Sequence, residues 1–263
     1  MTKDFLKDII VYKQGLIEKK KVFLQELKAK NKNDKHTAYH VFQKAISKPG
    51  QLNLIAEIKK ASPSQGVIRG DFSVLDLAYA YQKAGAAAIS VLTEDKYFLG
   101  KPPYVREVAE HVSLPVLTKD FIIDEVQIFE TFSFGSSAVL LIVAILTDKN
   151  LQQLLETAHG LGMDALVEVH DEKELQRAIN SGAKIIGVNN RNLRTLDVDF
   201  ATCEKLIPSI PQGITIVAES GIKDQTQIRK LQQLGAHAVL IGETFLRAHD
   251  VGAKVREVMY GEN

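Results

Sequence analysis

The stretch ITIVAESGIKDQTQIRKLQQLGAHAVLIG, residues 214–242, holds one complete unit of a repeating plan. It opens on a short apolar run, ITIVAE (214–219). A helical pattern follows, DQTQIRKLQQLG (224–235), and a second apolar run, AVLIG (238–242), closes it. Neither run alternates strictly between apolar and polar residues, so each predicts a strand covered on both faces. Gly235 stands where a helix must end before the next strand, and glycine accepts the left-handed conformation that closes helices. Strand, helix and strand in succession make the βαβ unit of a parallel sheet.

Outward from this unit the plan recurs. LIAEI (54–58), AAISVL (87–92), PVLT (115–118), AVLLIV (138–143), ALVEV (165–169) and KIIGV (184–188) bring the number of runs to eight. VLDLAYAYQKAG (74–85) is a further helical pattern, and Gly85, Gly135, Gly162 and Gly182 precede strands as Gly235 does. The chain has 263 residues, and a closed (β/α)₈ barrel typically needs about 250. An open doubly wound sheet also alternates strand and helix. Eight evenly spaced units with no obvious second domain favour the barrel. The expected fold class is therefore α/β, a (β/α)₈ TIM barrel over 49–263. Residues 4–30 read as an amphipathic helix, with Leu6, Ile9, Ile10, Leu16, Ile17, Phe23, Leu24 and Leu27 on one face. NKNDKHT (31–37) reads as a loop, so 1–48 form an additional N-terminal helical segment.

Hydrophobic residues make up 45% and charged residues 25%, enough apolar material for a sizeable core. The net charge is +1, so no whole-molecule field draws nucleic acid or a membrane. Residues 1–40 hold ten Lys against five Asp or Glu. That excess fits either a solvated helix face or a basic interaction arm, and the interleaved apolar residues favour the face. Cys203 is the only cysteine, which excludes an internal disulfide and fits a reducing compartment. It lies in a helical stretch, ATCEKLI (201–207), with no His nearby in sequence to activate it. The longest purely apolar run, Ala138–Leu146, is too short to span a membrane, which takes about twenty residues. Early charges at Lys3, Asp4, Lys7 and Asp8 interrupt any signal-like run. The expected location is the cytoplasm.

In barrels of this kind the chemistry sits at the C-terminal ends of the strands. The first run closes on Glu57 and Lys59, followed by SPS (62–64); the third closes on Lys119 and the fifth carries Glu168. The sixth closes on Asn189 and Arg191, the seventh on Glu219, Ser220 and Gly221, and the eighth on Gly242. A charge in or beside an apolar strand is costly unless paired, and any one of them could be a structural ion-pair partner. Five Lys and Glu on four strands, all facing one rim, point instead to acid–base work. AESGI (218–222) and LIGE (240–243) place glycines where backbone N–H groups can approach an anion. Phosphate binding after strands seven and eight recurs in this fold. The seven His are scattered and form no metal-ligand spacing, so no metal is expected. His170 reads as a solvent-facing loop residue. No GxGxxG or P-loop pattern follows a strand, which disfavours dinucleotide binding.

Six segments taken together carry a family resemblance: IAEIKKASPSQG (55–66), SVLTEDKYFLG (90–100), PVLTKDFI (115–122), LVEVH (166–170), GVNNRNL (187–193) and VAESGI (217–222). In this order they resemble indole-3-glycerol-phosphate synthase, over nearly the whole chain. The resemblance implies ring closure of 1-(2-carboxyphenylamino)-1-deoxy-D-ribulose 5-phosphate, with loss of CO₂ and water and no cofactor. By the same resemblance Lys119 looks like the general acid, and Glu168 like the group that takes or relays protons. Lys59 resembles the Lys that holds substrate. Glu57, Asn189, Glu219 and Ser220 match the remaining catalytic positions. Phe98 and Arg191 match residues around the anthranilate part, and Ser62, Gly221 and Gly242 match the phosphate region. Glu243 follows Gly242 where some members have Ser, so phosphate there implies backbone binding with the Glu243 side chain turned away. The expected partner is a small phosphorylated molecule, with no nucleic acid or membrane, and other tryptophan-pathway enzymes remain open as partners. A barrel isomerase or Schiff-base aldolase is a second enzymatic reading, because strand-end lysines also form imines. A structural barrel with a basic arm is a third.

Overall fold

In the computed structural model, residues 5–31, 34 and 40–262 are described. All eight apolar runs are strands, with ends within one residue of those expected. They are β1 (Asn53–Ile58), β2 (Ala88–Leu92), β3 (Val116–Lys119), β4 (Ala138–Ile142), β5 (Asp164–Val169), β6 (Ile185–Asn189), β7 (Thr215–Glu219) and β8 (Ala238–Ile241). Each strand pairs in parallel with its sequence neighbours, and β1 pairs with β8, so the sheet closes. The closed barrel, not the open sheet, is the architecture.

The side-chain period of two sorts every strand into an inner and an outer face. Leu54, Ala56 and Ile58 on β1 and Ile89 and Val91 on β2 belong to the outer core, packed beneath the helices. Ile55, Leu117, Leu140, Leu166, Ile185, Val217 and Leu240 fill the barrel interior. Counting two onward from these interior residues reaches Glu57, Lys119, Ile142, Glu168, Gly187, Glu219 and Gly242. The inward face therefore runs from an apolar filling directly into the charged rim. Both faces are buried, which is why the strands read as continuous apolar runs.

The outer helices are α4 (Val74–Lys83), α5 (Pro103–His111), α6 (Glu125–Ser133), α7 (Asp148–Gly160), α8 (Glu172–Asn180), α9 (Ala201–Leu206), α10 (Gln225–Leu234), α11 (Glu243–Leu246) and α12 (Val251–Tyr260). Gly235 closes α10 at φ 96°, ψ 15°, and Gly85, Gly135, Gly162 and Gly182 also carry positive φ.

The N-terminal segment departs from the expected single helix. It is α1 (Phe5–Lys19), α2 (Lys21–Asn31) and α3 (Val41–Ile46). The Lys20 amide reaches both Leu16 O and Ile17 O, which marks a bend. The bend separates two docking faces. α1 buries Leu6 and Ile9, whereas α2 buries Leu24 and leaves Phe23 55% exposed. Phe23 therefore does not belong to the expected buried face. Of the expected loop 31–37, Asn31 ends α2 and Asp34 has no regular structure; the rest lies outside the described residues.

The segment covers both ends of the barrel. α1 lies at the C-terminal rim, where Tyr12 donates to Asp95 at 2.8 Å and Lys13 pairs with Asp120 at 2.6 Å. α3 sits at the opposite end, where Gln43 N donates to Asp164 and its side chain reaches Thr215. Lys20 pairs with Glu130 and Lys28 with Glu125, both on α6. Barrel carboxylates thus answer part of the basic charge of this segment.

Candidate active site

At the C-terminal rim the strand ends surround a cavity with about 810 Å³ of empty volume, open mouth included. Ten of the twelve expected site residues line it: Glu57, Lys59, Phe98, Lys119, Glu168, Asn189, Arg191, Ser220, Gly221 and Gly242. Glu219 and Ser62 do not. Glu219 is fully buried and grips Lys119. Ser62 is buried in a two-stranded ribbon (Ala61–Ser62 with Gly66–Val67) that follows β1, and its Oγ has no hydrogen-bond partner.

Lys119 is the hub. Its Nζ lies 2.7 Å from Glu219 Oε2, 3.7 Å from Glu168 Oε2 and 3.8 Å from Glu57 Oε2. These carboxylates come from β7, β5 and β1, so only barrel closure brings them together. Lys59 Nζ sits 2.5 Å from Glu57 Oε1. Three buried carboxylates against two ammonium groups leave one negative charge in excess, and an isolated buried charge is strongly disfavoured.

The individual groups resolve that conflict differently. Burial works against charge on Lys119, but Glu219, Glu168 and Glu57 overcome it and hold its pKa well above the ordinary lysine value. Burial would raise Glu57, yet Lys59 and Lys119 pull it below the usual carboxylate range. Glu168 is likewise opposed by burial and is held at about 2, chiefly by Lys119 and then by His170, with help from Asn189. Glu219 goes the other way. Burial outweighs Lys119, Glu168 and Glu57 add repulsion, and its pKa rises to about 7. The rim therefore holds a permanent cation, two ionised carboxylates and one carboxyl that titrates near neutrality.

Two glycines make room for these carboxylates. A Cβ on Gly187 would land on Glu219 Oε1, and one on Gly242 would come within 2.6 Å of Glu57 Oε1. Any larger residue would push a carboxylate off Lys119. Ser220, next to Glu219, adopts φ 67°. A non-glycine residue in that region stores strain of about 1–3 kcal/mol, typical of functional turns.

The other lining residues form walls. Phe98 packs against Phe121 with ring centroids 6.3 Å apart, and Phe121 packs edge-on against Phe5 of α1. Arg191 donates to Leu196 O at 2.9 Å and lies 3.7 Å from Glu243 Oε2. Glu243 also pairs with Arg247 at 3.2 Å. Its side chain stays at the cavity edge, among arginines, so two guanidinium groups balance its charge where the sequence implied it simply turns away.

Some site residues went unassigned in the sequence. Asp120 lines the cavity, pairs with Lys13 and accepts from Thr93 Oγ1 at 2.6 Å. Its position beside Lys119 was the available signal. Phe121, Leu193 and Thr244 also line the cavity. His170 does not face solvent, contrary to expectation: its side chain is 14% exposed, held between Glu168 and Glu174. Cys203 is buried in α9, its thiol pushed up to about 12 by burial, which leaves it unreactive. Among the described residues no cluster of three or more His, Cys, Asp or Glu could hold a metal. Among them, no helix is long and apolar enough to cross a membrane.

A closed barrel of eight parallel strands, with a lysine ringed by carboxylates in a cavity at its C-terminal rim, defines a TIM barrel of the enzymatic kind. Solved structures share the fold. A 3-hexulose-6-phosphate synthase from Salmonella typhimurium matches at TM-score 0.65 and 13% identity, over 79% of this chain and 97% of that one. An N-acetylmannosamine-6-phosphate 2-epimerase from Clostridium perfringens matches at TM-score 0.59 and 18% identity, over 80% and 92%. At such identities the likeness is one of fold. The sequence is more particular. The family model described as Indole-3-glycerol phosphate synthase matches residues 6–258. An indole-3-glycerol phosphate synthase of Acetivibrio thermocellus is 50% identical over 216 residues, 82% of this chain and 83% of that protein. One from Aliarcobacter butzleri is 45% identical over 238 residues, 90% of each. The chain belongs to the indole-3-glycerol phosphate synthase family, a family of enzymes.

Proposed function

We propose that the protein closes the indole ring of 1-(2-carboxyphenylamino)-1-deoxy-D-ribulose 5-phosphate, releasing CO₂ and water to leave indole-3-glycerol phosphate. The observation that carries this reading is Lys119 Nζ at the centre of Glu57, Glu168 and Glu219 on the cavity floor. In the first step an electron-rich aryl carbon attacks a ketone, and the ketone oxygen needs a proton as it gains charge. Lys119 supplies it, because its carboxylates keep it protonated at working pH while the cavity aims it. Loss of CO₂ returns the bonding electrons to the ring. Loss of water then needs an acid for the departing hydroxyl and a base for the neighbouring proton. Lys59, which shares Glu57 with Lys119, and Glu168, 3.7 Å from Lys119, take these tasks, and Glu57 and Glu219 tune the charges of the lysines. Asn189 and Ser220 orient the reacting groups.

Phe98 and Arg191 take the anthranilate end: a ring face for the ring, a guanidinium for its carboxylate. The phosphate goes to the backbone of Gly221 and Gly242. Phosphate binding there provides remote binding energy to hold the strained attack geometry. The charge state of Lys119 also bears on the imine alternative. An imine nucleophile must be neutral, and three carboxylates oppose that. Borohydride is expected to trap no adduct on Lys59 or Lys119.

The test is direct. Mixing the protein with the substrate should produce growing indole fluorescence. A folded protein that gives no such growth would overturn the proposal.

A further inference from the structure

His170 stands immediately after β5, two residues beyond Glu168. Its Nε2 lies 3.3 Å from Glu168 Oε1, an ion contact without hydrogen-bond alignment. Its Nδ1 lies 2.9 Å from Glu174 Oε2, and its backbone N–H donates to that same oxygen at 2.8 Å. Glu174 is in the first turn of α8, whose N-terminus is capped by Asp171. The imidazole is therefore fixed from one side by a helix and pressed on the other against a buried carboxylate.

Glu168 needs such a neighbour. It is 1% exposed, and its Oε2 faces Lys119, which Glu57 and Glu219 also claim. Its Oε1 has no hydrogen-bond partner, and neither does the opposing His170 Nε2. Two buried polar atoms that face each other at 3.3 Å and lack any other partner are a contact poised to tighten. Active-site hydrogen bonds are often long without substrate and shorten in the working complex.

We propose that His170 is a positioning residue for Glu168, a cation braced on Glu174 that keeps the Glu168 carboxylate turned into the cavity and ionised between proton transfers. Burial works against its charge, but Glu168 and Glu174 together raise its pKa to about 10. The groups that set this balance are Glu168 on β5 and Glu174 on α8, with Lys119, Glu57 and Glu219 acting through Glu168. His170 acts on Glu168 from outside the cavity, whose lining does not include it.

The inference rests on Glu168 handling protons in the proposed reaction, and a double-mutant cycle separates the two. Measured by indole fluorescence in the full-length protein, His170→Gln should lower kcat about tenfold or more, in the 10²–10⁴ span of acid–base effects at most. KM should change less than about threefold, because the residue does not touch substrate. In a Glu168→Gln background His170→Gln should cost nothing further, because the group it positions is gone. A merely structural role would lower kcat equally in both backgrounds, and that result overturns the inference alone. Glu168→Gln with normal turnover would instead remove the role of Glu168, and this inference with it. A second readout avoids activity altogether. Nitrogen NMR of the His170 imidazole should show both ring nitrogens protonated at pH 8 in the wild type. In Glu168→Gln the ring should become neutral at lower pH. A neutral imidazole at pH 8 in the wild type overturns the inference.

Discussion

The two ends of the barrel both bury polar side chains, and they treat them in opposite ways. At the N-terminal end Asn53 donates to Ile46 O, Lys48 O and His237 O and accepts from Gln51. Asp164 is met by His40 on one oxygen and by Gln43 N on the other, and His237 Nδ1 accepts from Ile216 N. Every one of these groups is satisfied. At the C-terminal end Glu168 Oε1, Glu219 Oε1 and Ser62 Oγ have no hydrogen-bond partner, and like charges crowd around one lysine. A satisfied buried network rigidifies, whereas unsatisfied groups mark places where something else must bind or react. Within one architecture, then, the hydrogen-bond inventory separates the end that holds the fold from the end that carries the candidate site.

Lys119→Ala should break the comparison most sharply. Turnover is expected to fall about 10²–10⁴-fold, the range for a positioned acid, while far-ultraviolet circular dichroism stays native. The three carboxylates lose their shared cation, so the thermal midpoint should drop at pH 8 and recover toward pH 5 as they take up protons. Wild-type turnover in this variant would remove Lys119 as the acid. Asn53→Ala probes the other end. It strips the donor from three carbonyls at once and should cost about 1–3 kcal/mol of stability, read by denaturant unfolding. Below the unfolding transition kcat should stay within about twofold of wild type, and a larger loss would show that the ends are coupled.

The smallest effect concerns pH. Glu219 has its pKa raised to about 7 from 4.5. A raised carboxyl contributes stability that is full below the unfolded value and is lost as pH climbs through the folded one. Glu168, lowered to about 2, contributes stability above 4.5 that disappears only as pH falls toward 2. Of these two carboxyls only Glu219 changes its contribution between pH 5 and pH 8. His170, His159 and His237 also shift theirs in that window, but in both proteins, so the comparison with Glu219→Gln isolates the Glu219 part. Wild type should lose thermal stability relative to Glu219→Gln across that window, by a few degrees. Parallel midpoints for the two proteins would place the pKa of Glu219 elsewhere.

The strands were legible because each is buried on both faces. Runs such as AVLLIV keep their apolar character whichever neighbour they pair with, so their ends emerged within a residue. The rim was legible for a related reason: Glu57, Lys119, Glu168 and Glu219 interrupt or end those runs, where a charge is conspicuous. What escaped depends on contacts between distant segments. Nothing near Lys13 in the chain signals that it will be buried against Asp120. His170 lies in the polar stretch HDEKE, which looks wet in one dimension, and only the turn into α8 brings Glu174 back over it. The bend at Lys20 was hidden because both halves of the segment are amphipathic, and their different docking surfaces exist only after the barrel closes.

That last dependence reaches into the order of assembly. Gln43 finds its partners at Asp164, Lys184 and Thr215, up to 172 residues further along the chain. Lys13 waits for Asp120, and Phe5 for Phe121. Contacts this far apart form late, since the intervening loop must first be closed at an entropic cost. The segment that precedes the barrel in the chain is therefore among the last parts to be seated, and until then both mouths of the nascent barrel stand open.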